Sequence, residues 1–166
     1  MSDKPSSSGA TQAKPVSASQ VETVEMVLPN DTNPLGNILG GRVMHLIDIT
    51  GATAAMRHAR KQVVTAHMDD LSFHHPVKLG EFIILKASVN YVGSTSLEVG
   101  VKVLSEDPLT GRQTHTSSAY LTFVAVGDDG KPASVPPLQP ESETERRRFK
   151  DAKERQQNRL NRRKNS

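Results

Sequence analysis

The chain has 166 residues, 35% hydrophobic and 23% charged, with a net charge of +3 and no cysteine. The lack of cysteine excludes a disulfide framework, a thiolate metal site and a thiol nucleophile, and no apolar run approaches the roughly 20 residues needed to span a bilayer. The positive charge is concentrated at one end: from Glu141 onward ten Lys or Arg face five Asp or Glu, so the rest of the chain carries −2 of the +3 total.

Met1 to Gln20 is rich in Ser, Ala, Thr, Lys and Pro and nearly free of large apolar residues, so residues 1–20 are expected to be a disordered segment outside the fold. This segment has neither the apolar core of a signal peptide nor an Arg, which makes cytoplasmic residence the default expectation. Val21 to Leu28 reads as an opening strand, and Asp31-Thr32-Asn33-Pro34-Leu35-Gly36 as a turn cluster. Apolar residues then recur at helical spacing through Gly41 to Met56, predicting a long helix opened by Gly40-Gly41.

Past the helix the period changes to two. A strand-like stretch within Val63 to Val77 ends at His74-His75-Pro76, and strands follow over Glu81 to Val92, Leu97 to Leu104 and Gln113 to Val126. Gly93-Ser94-Thr95-Ser96 and Asp107-Pro108-Leu109-Thr110-Gly111 are the turns between them. One helix between a first strand and four more predicts an α+β fold in which an antiparallel sheet wraps an apolar helix, over residues 21–137. Residues 138–166 form a charged, basic tail, helical or disordered, with a Ser142-x-x-Glu145 capping box and the pairs Glu143 with Arg147 and Asp151 with Arg155. It lacks the aromatic or groove-reading partners that nucleic-acid binding requires, and no nucleic-acid partner is expected.

The residue that points to chemistry is Asp48, a carboxylate on the helix's mostly apolar stripe between Met44, His45, Gly51 and Ala52. A carboxylate in such a place is either paired or used, because burying it alone costs several kcal/mol. The helix N-terminus at Gly40-Gly41 leaves first-turn N–H groups open to a developing negative charge. Asn33, just upstream, either orients a substrate or water or caps its own turn. His74 and His75 are adjacent on an extended segment and point to opposite faces; no third ligand is near, and no metal is expected.

The spacing Asn33-x2-Gly36-x3-Gly40-Gly41-x6-Asp48 resembles that of the hot-dog fold acyl-CoA thioesterases of the cytosolic acyl-CoA hydrolase type, over about Val21 to Val135. That resemblance implies a hydrolase of fatty acid metabolism that splits acyl-CoA into free fatty acid and coenzyme A. It needs no cofactor, since coenzyme A is part of the substrate. It also implies a homo-oligomer, at least a dimer and expected as a trimer of dimers or hexamer, with the site across the dimer interface. Asn33 of one subunit and the partner's Asp48 would then meet at one thioester, with Gly40 and Gly41 presenting N–H groups to its carbonyl oxygen and Asp48 acting as general base or nucleophile. Val92-Gly93-Ser94-Thr95-Ser96 looks like the family's coenzyme A turn, although a larger polar residue is usual where Ser94 stands. Arg57, Arg60 and Lys61 are candidates for the phosphate charge, or simply cations favoured at a helix C-terminus. A related hydratase branch carries a His five residues after the Asp; Thr53 stands there, which disfavours hydration. The alternative to an enzyme is a non-catalytic acyl-CoA-binding protein of the same fold, a sensor or scaffold.

Overall fold

The computed structural model describes residues 12–69 and 71–166, so residues 1–11 of the segment expected to be disordered lie outside the described residues. Helix α1 (Gly40–Ala59) forms where the apolar spacing predicts it and buries Val43, Leu46, Ile47, Thr50, Ala54, Ala55, His58 and Ala59. It ends at Arg60, which takes the left-handed conformation (φ 52°) and donates its N–H to Met56 O at 2.7 Å. Five antiparallel strands wrap it: β2 (Val21–Met26), β3 (Gln62–Met68), β4 (Phe82–Val92), β5 (Ser96–Glu106) and β6 (Gln113–Val126), in the spatial order β2-β4-β5-β6-β3. Leu85, Val89, Val99, Leu121 and Phe123, all 0% exposed, form the core beneath the helix. Gly51 lets α1 settle closely, since a Cβ there would stand 3.2 Å from the Phe123 ring.

The sheet leaves two edges, β2 and β3. The stretch expected to run as strand towards Val77 stops at Met68, where its ladder with β6 ends; a bulge between Thr65 and His67 shifts the register before that point. The chain then leaves the sheet, so His74 and His75 sit in an irregular segment rather than on alternate faces of a strand. They line one cavity together.

Two boundaries differ from expectation. The folded unit begins before Val21: β1 (Lys14–Pro15) pairs in parallel with β7 (Leu138–Gln139), and Val16 and Ser19 of the following 3-10 turn are buried. Ser19 Oγ accepts the N–H of Val89 at 2.9 Å and donates to Val16 O. A few well-placed small residues thus tie down a segment whose composition suggested it had no core to join. At the other end the tail is helix α2 (Glu143–Lys164), with the expected cap: Ser142 Oγ accepts from Glu145 N–H at 3.1 Å.

Helix α2 crosses its own sheet on the face opposite α1. Ala152 is fully buried, and Phe149 meets the Tyr91 ring edge-on at 5.0 Å. Arg155 pairs not with Asp151 but with Glu98, at 2.7 Å and 3.2 Å, and its guanidinium stacks 3.7 Å over the Tyr120 ring. Arg159 reaches Asp69 and Thr122. A helix with so little hydrophobic surface docks through two arginines and a buried carboxylate, not through an apolar stripe.

His58 joins α1 to the segment before α2. It is 0% exposed; its Nε2 lies 2.7 Å from Pro136 O, its Nδ1 has no partner, and Lys14 Nζ donates to its carbonyl. Burial lowers its pKa below the usual histidine value, the Pro136 contact opposes this, and Lys14 adds to it. With the native value depressed, the unfolded chain binds the proton more readily. The stability due to neutral His58 is therefore complete above about pH 6.5 and is lost as pH falls towards the native value. We expect the melting temperature to drop between pH 7.5 and 5.5, and His58→Gln, which can still donate to Pro136 O but cannot titrate, to flatten that drop in a thermal-melt series.

Candidate functional site

The turn before α1 is locked by Asn33. Its Oδ1 accepts the N–H groups of Leu35 (3.0 Å) and Asn37 (3.1 Å), while its backbone N–H donates to Asn37 O at 2.8 Å. Gly36 closes the turn at φ 79°, a conformation glycine adopts without strain. Both readings of Asn33 are thereby compatible: the side-chain oxygen caps the turn, and the amide Nδ2 has no acceptor among the described residues.

The turn delivers the chain to an uncapped helix N-terminus. Leu39 at the cap accepts from Arg42 N–H and Val43 N–H, leaving the N–H groups of Gly40 and Gly41 without acceptors among the described residues. A cavity of about 300 Å3 opens there, bounded by Asn33, Gly40, Phe73, His74, His75 and Thr116. The Phe73 ring lies 3.6 Å from where a Cβ on Gly40 would stand, and a Cβ on Gly41 would meet open space. Asn33 and Gly40 thus border one cavity within a single subunit, while Gly41 is not among the residues that line it.

Asp48 is not in that cavity. It stands eight residues beyond Gly40, about 12 Å along the helix axis, and it is only half-buried, not sunk in an apolar wall. Thr65 Oγ1 donates to its Oδ1 at 2.7 Å. The bulge just after Thr65 ends the regular register of the edge strand, and Thr65 lies on the α1-facing side opposite Phe123. Around the pair the helix surface is apolar and uncovered: Met44, Ile49 and Met56 are 46%, 50% and 37% exposed. Sequence patterning predicts an apolar helix face correctly here but cannot tell a face turned to the core from one left for another chain.

The candidates for coenzyme A lie at the far end of α1. Gly93 N–H donates to Ser96 O at 2.8 Å, closing the β4–β5 hairpin, and the carbonyls of Ser94 and Thr95 accept from Val135 and Ala125. A Cβ on Gly93 would come 3.0 Å from Ser96 Oγ, a tight contact that the hydroxyl would have to turn away to relieve. The hydroxyls of Ser94, Thr95 and Ser96 make no hydrogen bond among the described residues. Arg57 donates to Gln20 O and Lys61 to Ser134 O, while Arg60 caps the helix, so two of the three cations are already engaged by backbone. None of these residues borders the Asn33 cavity of its own subunit. Among the described residues no group of three His, Cys, Asp or Glu is placed to hold a metal, and no helix is long and apolar enough to cross a membrane.

The family model of the thioesterase superfamily matches residues 35–111. The acyl-CoA thioester hydrolase YkhA of Bacillus subtilis, described as uncharacterized, is 38% identical over 148 residues, covering 89% of this chain and 86% of that protein. The chain belongs to the acyl-CoA thioester hydrolases. The hot-dog fold expected for this family is the one observed. A hexameric acyl-CoA thioesterase in its apo form superposes with a TM-score of 0.87 at 42% identity, covering 91% of this chain and 97% of the other. The acyl-CoA hydrolase of Staphylococcus aureus, in complex with butyryl coenzyme A, does so with a TM-score of 0.85 at 38% identity, covering 91% and 92%. Three further structures of that hydrolase each carry one alanine substitution, at an Asn, at an Asp 15 residues later and at a Thr 17 residues after that. Asn33, Asp48 and Thr65 have the same spacing here.

Thr65 was not singled out by sequence reasoning, nor were Phe73 and Thr116. The signal for Thr65 was available: in Val63-Val64-Thr65 it shares the parity of Val63, the helix-facing side, where a hydroxyl needs a partner. Thr65→Val keeps the shape and removes one hydrogen bond to a charged group, worth about 1.5–3 kcal/mol. We expect hydrolysis to fall by about 10- to 100-fold, read as kcat at saturating substrate.

Proposed function

We propose that this protein hydrolyses acyl-CoA thioesters at sites shared between two subunits, with Asn33, Gly40 and Gly41 supplied by one and Asp48 and Thr65 by its partner. The observation that carries this reading is the separation of the parts. Asn33 and Gly40 border one cavity, while Asp48 faces outward beside the unpaired edge of β3 on an uncovered apolar surface. Pairing two copies through their β3 edges covers that surface and runs the two α1 helices past each other, so each Asp48 approaches the partner's cavity. The same antiparallel passage brings the distal Gly93–Ser96 hairpin and the cations Arg57, Arg60 and Lys61 of one subunit towards the other's substrate.

In the reaction, the thioester carbonyl oxygen gains negative charge as it is attacked, and the N–H groups of Gly40 and Gly41 hold that charge at a helix N-terminus. Asn33 Nδ2, free to donate, orients the thioester or the water. Asp48, fixed by Thr65, takes the proton from the attacking water, or attacks as the nucleophile to give an anhydride that water then opens. The tetrahedral adduct collapses by breaking the C–S bond, releasing the coenzyme A thiolate and a carboxylic acid. The likeness to hexameric relatives and the spacing of the Asn, Asp and Thr substituted in the Staphylococcus aureus hydrolase support the reading. A thiol-release assay over acyl-CoA chain lengths, run alongside solution mass, tests it. Release of free thiol by an oligomer is expected. Tight acyl-CoA binding with no thiol released at any chain length would leave a binding protein instead.

A further inference from the structure

The face of the sheet away from α1 holds a second concavity, of about 720 Å3, roofed by the first half of α2. Its floor is kept low by Ser88, Gly100 and Ser118. Gly100 cannot be larger, because the Asn90 amide leans over it, 2.7 Å from where a Cβ would stand. The roof is held by Arg155, which is committed to Glu98, a side chain only 3% exposed, and stacked on Tyr120.

What distinguishes the space is its charge. Lys86 on β4 and Lys102 on β5 are direct register partners, an arrangement of like charges that weakens a sheet unless something between them is negative. The row continues with Ser118 beside Lys102 on one side and Glu22 beside Lys86 on the other. From above, α2 adds Arg147 and Arg148. None of these four cations has an ion pair among the described residues, whereas the other arginines that α2 turns to the sheet, Arg155 and Arg159, are both paired. Glu22 and Asp151 are the acidic groups on the walls, so cations from three elements converge on one partly enclosed space in clear excess.

Lysines act as point charges and arginines as planar forks towards phosphate oxygens, and Ser118 adds a hydroxyl. Four unpaired cations exceed the charge of about −2 that a single phosphate brings, and two linked phosphates match them better. We propose that the groove binds a small anion carrying two or more phosphate groups, on the opposite side of the sheet from the Asn33 cavity. The assignment rests on the groove alone and does not require the thioesterase reading.

Calorimetric titration of the full chain with inorganic pyrophosphate tests it. Pyrophosphate should bind about 10-fold more tightly than orthophosphate, and Lys86→Ala with Lys102→Ala should weaken it by about 10-fold or more. Both lysines are exposed, so the double variant should melt as the parent does; Lys86→Gln alone gives a milder version of the same loss. Arg162→Ala with Arg163→Ala, on the same helix but outside the groove, should change affinity by less than about two-fold. The proposal is overturned if the intact protein does not bind pyrophosphate, or if the two double variants lose affinity equally, which would mean diffuse attraction to a basic helix. It is equally overturned if the lysine variant changes solution mass, making the groove a subunit contact, or raises the acyl-CoA KM in step, making it part of the substrate's path.

Discussion

Asp48→Asn is expected to lower thioester hydrolysis by about 100-fold or more, the loss typical of removing a general base, with the melting temperature within about 2 °C of the parent. The substitution keeps the shape of the side chain and its ability to accept from Thr65 Oγ1. It removes only the charge and the capacity to take a proton or attack a carbonyl. Because Asp48 is half-exposed and its surroundings are open in the single subunit, no buried partner is orphaned. A variant retaining more than about a tenth of the parental rate would show that Asp48 is not the acid–base or nucleophilic group.

The second large effect is on stability. Arg155→Ala leaves Glu98 buried beneath α2 without its bidentate partner and removes the guanidinium from the Tyr120 ring. Removing one member of a buried ion pair costs about 3–5 kcal/mol; Arg155 is partly exposed, so the low end applies. For a chain of this size that corresponds to roughly 6–12 °C in melting temperature. Glu98→Gln should recover part of the loss in the Arg155→Ala protein and stabilise nothing in the parent, which a double-mutant comparison of melts will read. Well below the new melting temperature, kcat should be retained, since α2 lies across the sheet from Asn33, Gly40 and Asp48.

These two expectations also mark what was legible in the sequence. The α1 stripe and the alternation of β6 are local patterns, and both elements formed where the pattern placed them. The Asn33 to Asp48 spacing was readable for the same reason: a turn and a helix start are encoded within a few residues. The misreadings all involve partners distant in sequence. Arg155 has an Asp four residues before it, the expected helical pair, yet binds Glu98, 57 residues away. Val16 and Ser19 belong to a segment too polar to hold a core of its own, but they only complete one built by α1 and β4. The early end of β3 is where its pairing with the distant β6 stops, and no turn residue announces it. The exposure of Asp48 depends on a surface left open by one chain, and patterning within one chain cannot report that.

The central claim is that Asn33 and Asp48 act in one site but come from different subunits. The most direct measurement is to mix two inactive proteins, Asn33→Ala and Asp48→Ala, under conditions where subunits exchange, and to follow thiol release. Random pairing places the two variants together in about half of the dimers, each then holding one site with both residues intact. The predicted result is recovery to about a quarter of the parental activity, rising with the same time course as exchange. Exchange without any recovery would contradict the account and place both residues in a site built by a single chain.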